Sequence, residues 1–167
     1  LATNVAVTCF DDLPQAINED AAQIILCDHH YWGGMSQVQH LAKLCQTFDL
    51  GLSMHSNNHL GISLMGMAHV ASATPHLTYA CDTHYPWQTE EDEIVIGGRV
   101  PIVNGCVEIT DKPGLGVEID YDQLARGHER TARRGRPSEA RFSGGCCATP
   151  RSKTRRASIF RDKRGSL

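Results

Sequence analysis

Short apolar segments alternate along the first half of the chain with longer segments of helical periodicity. Residues 23–28 read QIILCD and residues 50–54 read LGLSM, a pattern typical of buried parallel strands. Residues 35–48 carry apolar side chains at helical spacing: Val38, Leu41, Leu44, Cys45 and Phe48. The pattern therefore predicts a strand, a helix and a second strand.

Further segments extend this alternation in both directions. Residues 5–10 are apolar and rich in β-branched and aromatic residues, which favours a strand or the exit from one, and residues 76–82 are a further strand candidate. Residues 11–21 predict a short helix with Asp11 or Asp12 as its N-cap, and residues 59–73 predict a long helix of small and apolar residues. Helices alternating with short apolar strands predict βαβ units and a parallel sheet.

The pattern changes after residue 92. Residues 93–110 predict two short strands around Gly97-Gly98 and a hairpin turn at Asn104-Gly105. A loop rich in Gly and Pro follows, and a helix is predicted to start near Asp122, whose charge suits a helix N-terminus. The expected organisation is a series of βαβ units over residues 1–92, a β-hairpin and return segment over 93–130, and a tail over 131–167.

The tail differs from the rest in charge. Residues 130–167 hold 12 Lys and Arg against two acidic residues, a net charge of +10. Residues 1–129 therefore carry a net charge of −13, and the whole chain has −3. Little apolar patterning is present there, which predicts disorder. A basic arm for nucleic acid is an alternative, but no aromatic residues interleave the charges, so nucleic-acid binding is not expected.

Composition limits the compartment and the partners. The chain has 167 residues, 41% of them apolar, and no apolar run of 18 residues, so a membrane partner is not expected. The seven cysteines are odd in number and several lie in apolar runs, which favours reduced thiols in the cytoplasm over a disulfide framework. The first residue is Leu1 rather than Met, which suggests that an upstream part is missing.

Polar side chains follow every predicted strand. They are Asn4, then Asp28 with His29 and His30, then His55 with Ser56 and Asn57, then Asp82 with His84. Active sites of parallel barrels lie at the carboxyl ends of the strands. We therefore expect these residues to form half of an active site.

His55 is the candidate general base, because imidazole titrates near neutral pH. Asp28 ends the neighbouring strand, so its carboxylate is expected to accept a hydrogen bond from His55. The alternative for His55 is a structural hydrogen bond. Ser56 and Asn57 can contact a polar substrate or, alternatively, form the turn.

Metal chemistry has weaker support in the sequence. Asn4 offers one amide oxygen to Mg²⁺, which prefers carboxylates as well. His59 is expected to be structural. The remaining histidines, His29, His30, His40, His69, His76 and His128, show no grouping and no zinc spacing.

Five stretches resemble the C-terminal part of glucarate dehydratase, in the enolase superfamily. They are LATN (1–4), CDHHYWGG (27–34), MHSNNHLGISL (54–64), ACDTHYPWQ (80–88) and DKPGLGVEID (111–120). The resemblance covers about residues 1–130 and implies an α/β fold, the C-terminal half of a modified (β/α) TIM-type barrel. It implies that the βαβ units over residues 1–92 form a partial (β/α) barrel.

The resemblance also implies a reaction and roles. The family dehydrates D-glucarate to 5-keto-4-deoxyglucarate through an enediolate held on Mg²⁺. His55 and Asp28 match its His–Asp dyad, and Asn4 matches a magnesium ligand. The matched substrate contacts are Asn4, His55, Ser56, Asn57 and His84. An aldarate substrate is the expected partner, and a homo-oligomer is expected for the full-length enzyme.

The departures from the family shape the remaining expectations. The first barrel strands, a Lys-x-Lys base and two acidic metal ligands are absent, and after GHER (127–130) the sequence differs, which suggests a shifted reading frame or a truncated product. The chain alone is therefore expected to be inactive and poorly soluble. Alternatives are another acid-sugar dehydratase of the superfamily or a degraded, non-catalytic relative.

Overall fold

Four parallel strands form the central sheet of the computed structural model, which describes residues 1–134. The strands are β1 (Ala2–Thr3), β2 (Ile24–Cys27), β3 (Gly51–Ser56) and β4 (Asp82–Thr83), and they lie side by side in chain order. Helices connect them in turn: α1 (Leu13–Asn18), α2 (Met35–Thr47) and α3 (Gly61–Ser72). The predicted alternation of strands and helices around a parallel sheet is confirmed.

The strand register brings the polar strand ends together. Cys27 pairs with Met54 across β2 and β3, so Asp28 follows directly beside the end of β3. His55 pairs with Asp82 across β3 and β4. Because all these strands are parallel, their carboxyl ends share one edge of the sheet.

The core lies between β2, β3 and the two long helices. Helices α2 and α3 pack on each other and on β3. The fully buried side chains there are aliphatic, thioether and thiol groups: Ile25, Cys27, Val38, Leu41, Cys45, Leu52, Met54 and Leu64. Burial of these groups is the main force that fixes the strands against the helices. No helix within residues 1–134 is both long enough and apolar enough to span a bilayer.

Residues 5–10 are the exit from β1 rather than a strand, and the strand predicted at 76–82 is wrong in extent. Residues 5–10 form turns, because the Thr3 hydroxyl accepts the backbone N–H of Ala6 and the Asp12 carboxylate accepts that of Thr8. Asp12 does stand at the N-cap position of α1, but its carboxylate faces this turn rather than the helix. Residues 76–82 run along β3, but the backbone N–H of Leu52 donates to the Thr78 hydroxyl. The strand itself is only Asp82–Thr83.

The hairpin at Asn104-Gly105 is confirmed. Strands β5 (Ile102–Val103) and β6 (Cys106–Val107) pair in antiparallel register around it. Asn104 and Gly105 both have positive φ angles, 50° and 76°, as a tight type I′ turn requires. The two strands expected around Gly97-Gly98 are absent from the described structure, and a single antiparallel bridge joins Val95 to Ile119 instead.

The last helix, α4 (Tyr121–Arg134), extends beyond the predicted start of the tail. It begins where Asp120 Oδ1 accepts the N–H of Gln123 at 2.8 Å. Arg130 donates to the carbonyl of Glu91 at 2.7 Å and to Asp92. Helix α4 thus runs past residue 131, where the tail was predicted to begin. The disorder predicted for the rest of the tail falls on residues 135–167, outside the described residues.

Replacing Tyr85 with Phe is expected to reduce the loss of stability at alkaline pH. Burial, and then the hydrogen bond to Glu93, raise the pKa of the Tyr85 hydroxyl above its ordinary value of 10. Above about pH 10 the unfolded tyrosine loses a proton that the folded one keeps, so the free energy of unfolding falls as pH rises. Urea unfolding at increasing pH measures this slope.

The wild-type protein serves as the reference for that slope. Burial also raises the pKa of Cys27 to about 12, so a shallower alkaline loss remains in the Phe variant. Equal slopes for both proteins above about pH 10 would contradict the assignment to Tyr85.

Candidate functional site

His55 lies at the end of β3 between two acceptors. Its side chain is buried, at 3% exposure. The ring Nδ1 is 3.0 Å from Asp82 Oδ2, and the ring Nε2 is 3.3 Å from Asn57 Oδ1. Strand register produces the first contact, because His55 and Asp82 are direct partners in β3 and β4.

This arrangement suits a histidine that takes up and returns a proton. In the neutral ring only one nitrogen carries hydrogen, whereas the protonated ring donates from both. The protonated ring would therefore donate to the Asp82 carboxylate and to the Asn57 amide oxygen. Asn57 is held in place by its own amide group, which donates to the Tyr31 hydroxyl at 3.1 Å.

The predicted hydrogen bond between Asp28 and His55 is wrong. Asp28 is buried, at 2% exposure, but its Oδ1 accepts the backbone N–H of His30 at 2.8 Å and contacts His30 Nδ1 at 2.9 Å. Asp28 thus closes the turn after its own strand, while the His55 ring contacts β4 on the other side. Sequence reasoning did not assign Asp82, although the register of β3 and β4 is the signal that identifies it.

Three histidines gather beside Asp28, contrary to the expectation that they show no grouping. The rings of His29 and His30 lie 4.1 Å apart between centroids, and those of His30 and His59 lie 4.0 Å apart. Burial lowers the pKa of His29 to about 4, and burial also lowers the pKa of His59. His59 Nδ1 is 3.0 Å from the Ser63 hydroxyl, which fits the structural role predicted for this residue.

The remaining predicted site residues differ in accessibility. Ser56 is fully buried, and its hydroxyl is 2.6 Å from that of Thr83. In this structure the Ser56 hydroxyl therefore bonds within the chain rather than facing the open side of the site. The His84 ring is 5.2 Å from the His55 ring and stacks on Trp87 at 4.5 Å. Trp87 is 75% exposed, so this stack borders the open side of the site.

The described residues do not by themselves fit a magnesium site at Asn4. Mg²⁺ takes about six oxygen ligands and usually includes carboxylates. Among residues 1–134, the one set of three His, Cys, Asp or Glu at ligand distance is Asp28, His30 and His59, which does not include β1. Asn4 is partly exposed and supplies one amide oxygen.

The chain matches a family model described as "Enolase C-terminal domain-like" over residues 1–124. It belongs to the enolase C-terminal domain-like family. Within this family, the parallel sheet with its helices is the C-terminal half of the barrel, and the predicted fold class is confirmed.

Two curated relatives carry dehydratase names. The chain is 51% identical over 130 residues to the "Probable glucarate dehydratase" of Streptomyces coelicolor, covering 78% of this chain and 30% of that protein. It is 34% identical over 114 residues to the "D-xylonate dehydratase" of Haloferax volcanii, covering 65% of this chain and 26% of that protein. The resemblance to glucarate dehydratase is thus confirmed.

Solved structures of the enolase family have the same fold. One, from Pseudomonas fluorescens Pf0-1 with bound magnesium, potassium and tartrate, is 58% identical with a TM-score of 0.79 and covers 81% of this chain and 32% of its own. Another, from Gibberella zeae PH-1 with magnesium, formate and sulfate, is 53% identical with a TM-score of 0.77 and the same coverage. The chain therefore spans about a third of the length of these relatives.

Proposed function

We propose that this chain carries the histidine side of an acid-sugar dehydratase site, with D-glucarate as the first substrate. The observation that supports this most directly is the buried His55, which contacts Asp82 and Asn57 at the carboxyl edge of the sheet. The 51% identity to a probable glucarate dehydratase supports the choice of substrate.

In the proposed reaction His55 acts first as a base and then as an acid. Its unprotonated nitrogen removes the proton from the carbon beside a substrate carboxylate, and the electron pair of that C–H bond moves into the carboxylate. The protonated ring then gives this proton to the hydroxyl on the next carbon. That C–O bond breaks, water leaves, and the resulting enol becomes the keto acid. Asp82 orients the ring throughout.

The other predicted residues have supporting roles in this proposal. Asn57 and His84 flank His55 and would contact the hydroxyls or carboxylate of the substrate, and Asn4 and Ser56 remain proposed contacts. Mg²⁺ is the proposed cofactor because two family structures were solved with magnesium. Asn4 would supply one ligand, and we assign no step to the ion.

The relation to a D-xylonate dehydratase supports a second substrate class. D-Xylonate has one carboxylate where D-glucarate has two. Both sugars present the carboxylate, the neighbouring C–H and the next hydroxyl that the His55 chemistry requires. The substrate choice therefore depends on contacts to the far end of the sugar.

A chimeric enzyme tests the proposed function. The 130 matched residues of the Streptomyces coelicolor relative would be replaced by those of this chain, and turnover of D-glucarate with Mg²⁺ would be measured. We expect turnover by the chimera, since the strand-end residues are present. The chain alone is expected to show none above a protein-free blank.

The same assay separates the alternatives. D-Glucarate, L-idarate, galactarate and D-xylonate would be compared, with the unaltered relative as the positive control. Preference for D-xylonate would show that the substrate is a sugar acid with one carboxylate rather than D-glucarate. A folded chimera that turns over none of the four sugars would support a non-catalytic relative and end the proposal.

A further inference from the structure

Asp28, His30 and His59 converge on one point beside the carboxyl edge of the sheet. Each of these side chains offers one ligand atom, and the three atoms all lie within 4.8 Å of one another. Asp28 and His30 belong to the turn after β2, whereas His59 precedes α3. The parallel pairing of β2 with β3 places the two turns side by side.

One oxygen of the buried Asp28 carboxylate lacks a hydrogen-bond donor. Oδ1 is taken by His30, but Oδ2 has no donor among the described residues although the side chain is only 2% exposed. A buried charged oxygen without a partner is costly, and such groups usually pair with a donor or a cation. The Oδ2 atom therefore points to a missing positive partner.

His59, which faces this oxygen, is too far away to serve as its hydrogen-bond donor. His59 Nε2 is 3.9 Å from Asp28 Oδ2, beyond hydrogen-bond distance. Two ligand atoms on one tetrahedral Zn²⁺ ion, each about 2.0–2.2 Å from it, lie roughly 3.4 Å apart. A shift of about half an ångström would therefore place both atoms on one ion.

Ser63 fixes the orientation that a ligand histidine needs. Its hydroxyl is 3.0 Å from His59 Nδ1, which leaves the other ring nitrogen directed towards Asp28. The same hydroxyl is 3.3 Å from His30 Nε2, so His30 Nδ1, which is 2.9 Å from Asp28 Oδ1, is the ring nitrogen that would exchange this hydrogen bond for the metal ion. Metal-binding histidines typically make such a hydrogen bond with the ring nitrogen that does not touch the metal.

We propose that Asp28, His30 and His59 bind a divalent transition-metal ion, with Zn²⁺ as the best fit. Two imidazoles and one carboxylate form a set that suits Zn²⁺ and Co²⁺ and not the oxygen-seeking Mg²⁺. Three protein ligands leave a fourth position for water or another ligand. His30 is the accessible side of the site, since its side chain is 45% exposed.

This site is separate from the proposed acid–base chemistry. It uses neither His55 nor Asp82, and binding can be measured without any substrate. Loss of dehydration in the chimera would leave this inference unchanged. Absence of metal binding would in turn leave the proposed role of His55 unchanged.

Cobalt titration of the full chain provides the test. The protein would be freed of metal by dialysis against a chelator, titrated with Co²⁺ while visible absorption is recorded, and then titrated with Zn²⁺ to displace the cobalt. We expect one equivalent to bind with the spectrum of nitrogen and oxygen ligands. Separate His30→Ala and His59→Ala variants should each weaken binding at least about tenfold.

A matched variant controls for adventitious histidine binding. His40 is exposed on α2, where its ring Nδ1 lies 3.3 Å from Gln37 Oε1, so His40→Ala should bind as the wild type does. Circular dichroism would verify that each variant is folded, and His30→Ala is the variant least prone to unfold. Unchanged affinity in folded His30→Ala and His59→Ala variants, or no saturable binding by the wild type, would overturn the proposal.

Discussion

Replacing His55 with Gln in the chimeric enzyme should lower kcat for D-glucarate by about a thousandfold. General acid–base catalysis typically contributes 10²–10⁴-fold, and this residue is proposed to transfer a proton in two successive steps. Gln fills similar space and can still contact Asp82 and Asn57, but it cannot take a proton from the substrate carbon and return it to the leaving hydroxyl. The variant should therefore fold and bind substrate while failing in the chemical step.

Two measurements separate this loss from misfolding. Dehydration would be followed by keto-acid formation, and proton removal by exchange of the substrate C–H with solvent deuterium. Both should fall together in His55→Gln, because one residue is proposed for both steps. His40→Gln, on the exposed face of α2, should retain the activity of the chimera. Activity within tenfold of the unmodified chimera would exclude His55 as the base.

Asp82→Asn should produce a smaller loss with a different signature. Asp82 is 57% exposed at its side chain, so solvent weakens its interaction with the protonated His55 ring. We expect kcat to fall by about 10-fold to 100-fold, with KM changed less, because orientation of the ring is lost while the ring itself remains. Steady-state kinetics of the chimera with D-glucarate would measure both constants.

The long periodic elements were predictable from the sequence because their pattern reflects burial. Helix α2 has apolar residues at helical spacing, α3 is a long run of small and apolar residues, and β2 and β3 lie in short apolar runs. The segment 5–10 misled because its β-branched residues favour a strand, whereas the side chains of Thr3 and Asp12 bind its backbone in turns. Such local hydrogen bonds leave no periodic signal.

The partner of His55 could not be chosen from the sequence. β3 has a neighbour on each side, and each neighbour carries an aspartate near His55: Asp28 after β2 and Asp82 in β4. The pattern of residues places both aspartates at the same edge but does not say towards which strand the ring turns. In the structure the ring turns towards Asp82, its direct register partner in β4, while Asp28 Oδ1 is held by His30 in its own turn.

The Asp28, His30 and His59 cluster was missed for a related reason. Zinc motifs are recognised in sequence when their ligands are closely spaced along one turn or helix. Here two ligands lie on one turn and the third lies on the next, so strand register rather than sequence spacing brings them together. Predicting the cluster requires the parallel pairing of β2 with β3 first.

Replacing Glu93 with Ala should destabilise the folded chain by about 3–5 kcal/mol, a large share of the 5–15 kcal/mol typical of a domain. Glu93 is 3% exposed, and its carboxylate accepts hydrogen bonds from three backbone N–H groups and the Tyr85 hydroxyl. Without it these donors remain buried and unpaired, which costs about 1–3 kcal/mol each before relaxation.

The effect of Glu93 should extend to the proposed site, because its carboxylate holds the start of α3. It accepts the N–H of Gly61, the first residue of that helix, at 3.1 Å, and its charge complements the positive end of the helix dipole. The turn that carries His55, Asn57 and His59 leads directly into this helix.

Urea unfolding of the full chain should show the largest loss of stability for Glu93→Ala and a smaller loss for Glu93→Gln, which keeps one acceptor oxygen. Glu91→Ala, at an exposed position, is the matched control and should unfold at the wild-type midpoint. If Glu93→Ala and Glu91→Ala unfold at the same midpoint, the carboxylate does not anchor α3, and the position of the His55 turn must depend on the β3–β4 register alone.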